Sequence, residues 1–162
     1  MQKITPFLWF DNNAEEAIDF YCSVFKNAKK GSSHRYPAGS PGGMEGKYMT
    51  GTFSIENQEF IALNGGPAFK QSEAFSLVID CKDQEEVDYY WNKLTGDGGQ
   101  ESQCGWLKDK FGLSWQVTPR ALTELMNSKD AAQNGRVMQA MLKMSKIIVK
   151  DLEEAAKGNV PA

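Results

Sequence analysis

The sequence is poor in metal-binding residues and has no long apolar run. Its 162 residues include one histidine, His34, and three widely spaced cysteines, Cys22, Cys81 and Cys104, which form no C-x-x-C pair. We therefore expect reduced thiols, with neither a disulfide framework nor a zinc site of the usual spacing. No apolar stretch approaches the roughly 20 residues that cross a bilayer, and the N-terminus lacks the apolar run and cleavage site of a signal peptide. These absences predict a cytoplasmic protein without a membrane partner.

Charge of one sign is not concentrated anywhere along the chain. There are 18 Lys and Arg residues against 21 Asp and Glu residues, for a net charge of −3. Proteins that track nucleic-acid phosphates usually carry a basic stripe, so nucleic acid is not an expected partner. The length suffices to bury a core without disulfides or a structural metal, and we expect residues 1–162 to form a single domain.

A helical pattern occurs twice, seventy residues apart. In each copy an Asn or Asp at the predicted N-cap, Asn13 or Asp83, has a glutamate three residues later, which is typical of a helix start. Apolar residues follow at i, i+3, i+4 and i+7, the stripe of an amphipathic helix. These positions are Ala17, Phe20, Tyr21 and Val24 in the first copy, and Val87, Tyr90, Trp91 and Leu94 in the second.

Segments rich in β-branched and aromatic residues flank both helices and predict strands. The predicted strands are 4–10, 31–36, 48–55 and 59–64 in the first half, and 75–79, 100–103, 104–109 and 113–118 in the second. We predict an α+β fold of two paired βαβββ modules, about 1–70 and 71–119, whose curved sheet encloses a cavity. A helical C-terminal tail follows at 120–158, with helices at about 120–127, 129–146 and from Asp151 to Gly158.

The last strands of the two modules suggest a binding site. Aligning Leu63-Asn64-Gly65-Gly66-Pro67 with Trp115-Gln116-Val117-Thr118-Pro119 makes Asn64 and Gln116 equivalent. Because side chains alternate along a strand, Trp115 and Val117 are predicted to face a helix. Ser114 and Gln116 would then face the cavity, as would Ala62 and Asn64. The predicted ligand-binding residues are Asn64, Gln116, Trp106, Ser114, Ser76, Thr52 and Cys104.

Simpler interpretations of some of these residues stay open. Asn64 and Gln116 are equally well explained as structural amides. Cys104 in the cavity would be a candidate nucleophile, although buried cysteines more often act as small apolar groups. His34 is a conceivable base, but a lone histidine at a strand end is more often a surface residue.

With these segments in view, the chain resembles the 3-demethylubiquinone-9 3-methyltransferase-like (PhnB-like) family. The family is a branch of the vicinal oxygen chelate superfamily, which includes glyoxalases, bleomycin-resistance proteins and extradiol dioxygenases. The resemblance rests on ITPFLWFDNNAEEAIDFYCSVF, FIALNGGPAFK, DCKDQEEVDYYWNKL, QCGWLKDKFGLSWQVTP and RVMQAMLKMSKIIVKDLEEA. It implies paired βαβββ modules, the glyoxalase/bleomycin resistance fold, and usually a homodimer.

The resemblance also locates the positions at which superfamily enzymes hold a divalent metal. Carried over to this chain, they fall at Pro6, Asn64, about Ala74 and Gln116, which offer at most two neutral amides. Zinc, iron and nickel prefer imidazole, thiolate or carboxylate ligands. We therefore predict no cofactor and no metal ligands, with a divalent metal as the less favoured alternative.

The expected function is the binding of a small, partly apolar molecule in the cavity between the modules. Methyl transfer from S-adenosylmethionine ordinarily needs a glycine-rich turn between a strand and a helix, whereas the cluster at 95–99 follows a predicted helix. The alternatives are a methyltransferase, as the family name suggests, or a lyase, isomerase or oxidoreductase acting on a vicinal-oxygen substrate. The Gly/Pro-rich loop at 37–46 is long enough to close over the cavity.

Overall fold

The computed structural model describes residues 2–159, which form two compact units. The first unit ends at Gln71 and the second begins at Ser72. Each contains a four-stranded mixed sheet with a helix against one face, which confirms the predicted α+β fold and the βαβββ order of elements. Between residues 2 and 159 no helix is both long and apolar enough to cross a bilayer.

The first unit contains one helix and four strands in the sheet order β1-β4-β3-β2, with β1 parallel to β4 and the other pairs antiparallel. Its elements are β1 (Phe7–Phe10), α1 (Ala14–Val24), β2 (Ala28–Arg35), β3 (Tyr48–Ile55) and β4 (Gln58–Asn64). A short 3-10 turn at Pro41–Gly43 interrupts the loop between β2 and β3.

Aromatic side chains fill the core of the first unit. Tyr21 of α1 stacks on Phe53 of β3 with ring centroids 5.8 Å apart, and Phe53 stacks on Phe60 of β4 at 5.1 Å. Such pairs contribute about 0.5–1.5 kcal/mol beyond the burial of their area. On β4 the buried residues Phe60 and Ala62 alternate with less buried ones, so the even-numbered positions of this strand face α1.

The second unit repeats this arrangement in the order β5-β8-β7-β6, with β5 parallel to β8. Its sheet elements and first helix are β5 (Ser76–Cys81), α2 (Gln84–Thr95), β6 (Gln100–Glu101), β7 (Trp106–Lys108) and β8 (Ser114–Pro119). Two strands are shorter than predicted. Cys104 does not belong to β7 but lies in a turn with φ of 60°, which is incompatible with a strand. Its backbone N–H donates to the carbonyl of Met144 instead of to a neighbouring strand.

Three helices complete the second unit: α3 (Arg120–Met126), α4 (Ala131–Met141) and α5 (Val149–Lys157). They pack around Val137, Ile147 and Leu152, which are fully buried. The side chain of Gln84 in α2 ties them to the sheet module, since its amide nitrogen donates to the carbonyl of Ile147 and its amide oxygen accepts from the N–H of Val149.

The predicted boundaries of these helices were partly wrong. The helix predicted at 129–146 spans only Ala131–Met141, because the chain turns after Leu142 to bring Ile147 into the core. The last helix begins at Val149, with Ile148 at the N-cap, so Asp151 lies in the first turn and does not cap it. Its end was predicted correctly, since Gly158 adopts the left-handed conformation with φ of 88°.

Candidate functional site

Strand β8 presents different side chains to its two faces. Trp115 and Val117 are buried, and the predicted orientation of these two residues toward α2 agrees with their burial. Gln116 lies on the opposite face, where its side-chain nitrogen donates to the Ser76 hydroxyl over 3.0 Å. Trp106 is the register partner of Gln116 on β7, and cross-strand partners share a face. The second unit therefore carries a polar and aromatic patch on the sheet face opposite α2.

Ser114 lies on this same face and has an unusual environment. Its side chain is fully buried, and its hydroxyl oxygen has no hydrogen-bond partner in the described part of the chain. A buried hydroxyl without a partner costs about 1–3 kcal/mol, so such groups are rare and call for an explanation. Ser114 lines a cavity of about 130 Å³ that Trp106 also lines. The hydroxyl is thus available to a small group that enters this cavity.

An ion pair borders the cavity. The ammonium group of Lys108, the register partner of Ser114, binds the carboxylate of Glu73. The hydrogen bond from Lys108 holds the pKa of Glu73 below its usual value. Neither residue was among the predicted site residues. Lys108 could have been found from strand alternation, since it lies two residues after Trp106 in β7, but no pattern in the sequence links Glu73 to it.

The turn between β7 and β8 is organised by a buried carboxylate. Asp109 accepts hydrogen bonds at Oδ1 from the N–H groups of Phe111 and Leu113, and at Oδ2 from the indole N–H of Trp115 over 2.8 Å. The N–H of Gly112 donates to the carbonyl of Asp109, which closes the turn. Asp109 therefore fixes both the turn and the Trp115 side chain, which holds β8 in register with its neighbours.

Asn64 is not on the face that was predicted for it. Its side chain is 94% buried: Oδ1 accepts from the N–H of Ala14 over 2.7 Å, and Nδ2 donates to the carbonyl of Tyr48 over 3.2 Å. The predicted cap residue of α1, Asn13, makes no side-chain cap hydrogen bond. Asn64 supplies that bond from the end of β4, so it faces α1 and acts as a structural amide.

The assumed equivalence of Asn64 and Gln116 is also wrong. Asn64 pairs with Phe10, the last residue of β1, whereas the last residue of β5, Cys81, pairs with Pro119. The counterpart of Asn64 is therefore Pro119, three residues after Gln116. A shift by an odd number of residues moves a side chain to the other face of a strand, which explains why the two amides point differently.

The remaining predicted residues lie elsewhere. Thr52 belongs to the first unit, on β3 between the buried residues Gly51 and Phe53, and its hydroxyl donates to the carbonyl of Ser32. Cys104 lies in the turn before β7, beside the segment that joins α4 to α5. Of the seven predicted residues, the structure gathers Gln116, Ser76, Ser114 and Trp106 on one sheet face.

The cysteines and the histidine are not assembled into a reactive or metal-binding cluster in the described range 2–159. Burial raises the pKa of the Cys81 thiol to about 12 and also raises that of Cys22, so both stay protonated at neutral pH. His34 is exposed on the edge strand β2.

The metal positions implied by the superfamily do not fit a metal in this chain. Among residues 2–159 no three His, Cys, Asp or Glu side chains lie close enough to hold an ion. Of the carried-over positions, the Asn64 oxygen already accepts the Ala14 N–H, and Gln116 offers only a neutral amide.

Comparisons with known proteins agree with this fold. The sequence model described as 3-demethylubiquinone-9 3-methyltransferase matches residues 2–118. The structure of a PhnB protein from Bacillus cereus that carries the same description is 37% identical, with a TM-score of 0.65, covering 73% of this chain and 99% of that one. Protein PA1353 from Pseudomonas aeruginosa is 20% identical, with a TM-score of 0.62, covering 74% of this chain and 98% of that one, and shows the fold alone. Comparison with curated proteins finds no match.

The family match and the 37% identity extend over most of the chain and include both sheet modules with their helices. The helices α3 to α5 follow the matched residues. This chain belongs to the 3-demethylubiquinone-9 3-methyltransferase-like (PhnB-like) family.

Proposed function

We propose that the protein binds a small, partly apolar molecule on the sheet face of the second unit opposite α2, with its polar end in the cavity beside Ser114. The observation that carries the proposal is the Ser114 hydroxyl, which is fully buried at this cavity and has no hydrogen-bond partner among residues 2–159. A group that serves only the fold would be satisfied internally or replaced by an apolar side chain at no cost. A ligand that pairs with the hydroxyl accounts for it.

The size of the cavity limits what can enter it. Its volume of about 130 Å³ corresponds to about four water molecules, whereas drug-sized ligands occupy roughly 300–1,000 Å³. Only part of a ligand fits, and the rest would lie over Trp106 and the Gln116–Ser76 pair. Such an arrangement favours a compact polar group attached to a flat apolar body.

The polar groups of the cavity indicate the chemistry of the ligand's polar end. Lys108 offers only donors, Ser114 can donate or accept, and the Gln116 amide can do both. A carbonyl or carboxylate oxygen could accept from Ser114 and replace Glu73 as the partner of Lys108. The proposed ligand class is therefore small carbonyl or carboxylate compounds with an apolar or aromatic body.

The test uses a panel of small aromatic and aliphatic carboxylates and ketones, with benzoate as the reference probe. Binding is followed by NMR through the Trp106 indole and the Gln116 side-chain amide, and so small a probe should bind with a dissociation constant on the order of a millimolar. Ser114→Ala should weaken binding while leaving the melting temperature unchanged or higher, because it removes an unpaired buried hydroxyl.

The matched control is Ser54→Ala in β3 of the first unit, which should leave binding unchanged. The proposal fails if no compound of the panel shifts these resonances. It also fails if Ser114→Ala binds benzoate as tightly as the unchanged protein does.

A second candidate is an enzyme that uses acid–base chemistry on a vicinal-oxygen substrate without a metal. Glu73, Glu101 and Lys108 are acid–base groups that line the cavity, which favours this candidate. Glu101 already accepts the indole N–H of Trp91, which leaves the Glu73–Lys108 pair as the available acid and base. If turnover is lost in Glu73→Gln while ligand binding persists, the result supports an enzyme. If the protein binds the ligand without turnover at any pH, the result supports a binding protein.

The family resemblance also favours a homodimer, and the lack of a signal-peptide pattern in the sequence favours a cytoplasmic location. Both stay predictions, which native mass spectrometry and cell fractionation would test.

A further inference from the structure

Two rows of side chains cross the sheet of the second unit on the face opposite α2. The first row is polar and has one residue from each strand of this sheet: Ser76, Ser114, Lys108 and Gln100. Cross-strand register partners share a face of the sheet. The row therefore places Ser114 and Lys108 side by side in the lining of the cavity.

The second row combines two apolar side chains with one amide. Val78, Gln116 and Trp106 form this row, as register partners on β5, β8 and β7. Val78 is 62% exposed, although its side chain is apolar. Each of these residues lies two positions along its strand from a member of the polar row, which separates the rows by about 6.7 Å. A ligand that contacts both rows therefore has its charged end a few bonds away from its apolar body.

The charges at the cavity come from few side chains. In the described range 2–159, the charged residues of the lining are Glu73, Glu101 and Lys108. Glu101 is the register partner of the buried Leu107, and its carboxylate accepts the indole N–H of Trp91 in α2 over 2.9 Å. The charge of Glu101 is therefore directed toward α2. On the opposite face the Glu73–Lys108 ion pair remains, and its two charges sum to zero.

A ligand with a carboxylate alone would disturb this balance of charge. If it displaced Glu73 from Lys108, two carboxylates would lie close to one ammonium group, and like charges at short distance repel each other. A ligand that also carries an ammonium group avoids this cost, because Glu73 then exchanges one ammonium partner for another. The ion pair is open to such an exchange, since the side chains of Lys108 and Glu73 are 31% and 63% exposed and exposed ion pairs are weak.

We propose that the ligand is an α-amino acid with an apolar or aromatic side chain, whose carboxylate binds Lys108 and whose ammonium group binds Glu73. This assignment rests on the proposed function, the binding of a small molecule at this face, and names its ligand class. At neutral pH an α-amino acid carries both charges, on groups attached to one carbon atom, which suits a lysine and a glutamate that already contact each other. The Ser114 hydroxyl donates to the carboxylate, and the side chain of the amino acid lies over Val78 and Trp106.

The test compares L-phenylalanine with 3-phenylpropanoate, which has the same skeleton but lacks the ammonium group. NMR follows binding through the Trp106 indole, and L-phenylalanine should bind about threefold to fivefold more tightly, as expected for one exposed charge pair. Glu73→Gln should abolish this advantage. L-Phenylalanine should then bind more weakly, whereas 3-phenylpropanoate should bind at least as tightly as before, because its competitor for Lys108 is gone. Glu153→Gln removes the same charge from an exposed position on α5 and, as the control, should leave both affinities unchanged.

The possible results separate the amino-acid assignment from the proposed function. The assignment alone is overturned if L-phenylalanine does not bind more tightly than 3-phenylpropanoate, or if its advantage persists in Glu73→Gln, while carboxylates still bind. If neither compound nor any member of the carboxylate and ketone panel shifts the resonances, the proposed function fails and the assignment fails with it. Lys108→Met should weaken the binding of both compounds, and unchanged affinities in this variant would also overturn the assignment.

Discussion

The last strands of the two units, β4 and β8, differ in how they use a buried or half-buried amide. Asn64 at the end of β4 caps α1, because the cap residue of that helix, Asn13, makes no side-chain hydrogen bond. In the second unit Asp83 accepts from the N–H of Glu86 and caps α2 from within its own segment. The second unit therefore needs no amide from β8 for this purpose, and Gln116 bonds to a serine on the other face of the sheet.

The same module uses its polar residues for folding in one copy and leaves them available in the other. The side chain of Asn64 makes two hydrogen bonds to the backbone, whereas Gln116 has a side-chain partner and Ser114 has none among the described residues. Groups that bind backbone atoms of the fold cannot also bind a ligand without loss of stability. This difference favours the second unit as the site of ligand binding.

The largest effect should come from truncating Trp115. Its side chain is 98% buried and its indole N–H donates to Asp109, so Trp115→Ala removes core packing and leaves a buried carboxylate oxygen without this partner. We expect a loss of about 3–5 kcal/mol in the free energy of unfolding, measured by urea denaturation. A loss below about 1 kcal/mol would mean that β8 presents its other face to α2.

A smaller but clear effect is expected from Asn64→Ala. The change leaves the N–H of Ala14 and the carbonyl of Tyr48 unpaired in a buried environment, at a cost of about 1–3 kcal/mol. Urea denaturation measures the loss, and hydrogen exchange should show less protection in the first turn of α1. Asn13→Ala is the matched control: its side chain makes no cap bond, so a loss as large as that of Asn64→Ala would assign the cap to Asn13 and contradict the structure.

The sequence predicted those parts of the fold that depend on local periodicity. The apolar stripes of α1 and α2 and the alternation of Trp115 and Val117 were found correctly, since burial of one face imposes a period on the sequence. The orientation of Asn64 was predicted wrongly. The prolines Pro67 and Pro119 suggested one alignment of the two closing strands, and the observed strand pairing shifts that alignment by three residues. Pairing depends on contacts between distant segments.

Parts of the candidate site were missed for the same reason. The Lys108–Glu73 ion pair joins residues thirty-five positions apart. Strand alternation places Lys108 on the face of Trp106, but no local pattern links Glu73 to it. The positive φ of Cys104 depends on hydrogen bonds from its turn to Met144 and Ser145, which lie far along the chain. Ser114 was found by alternation, but its lack of a hydrogen-bond partner could be seen only in three dimensions.

The smallest effect on stability, and the one most specific to the comparison, is expected from Gln116→Leu. Gln116 is only half-buried, and its one hydrogen bond recorded in the described structure joins it to Ser76, which can bond to water instead. The loss in the free energy of unfolding should stay below about 0.5 kcal/mol, whereas the affinity for benzoate or a tighter member of the panel should change several-fold. The two quantities are measured on the same preparation, by urea denaturation and by NMR titration. If the loss in stability equalled that of Asn64→Ala while the affinity stayed constant, Gln116 would be a structural amide like Asn64, and the proposed division between the units would be wrong.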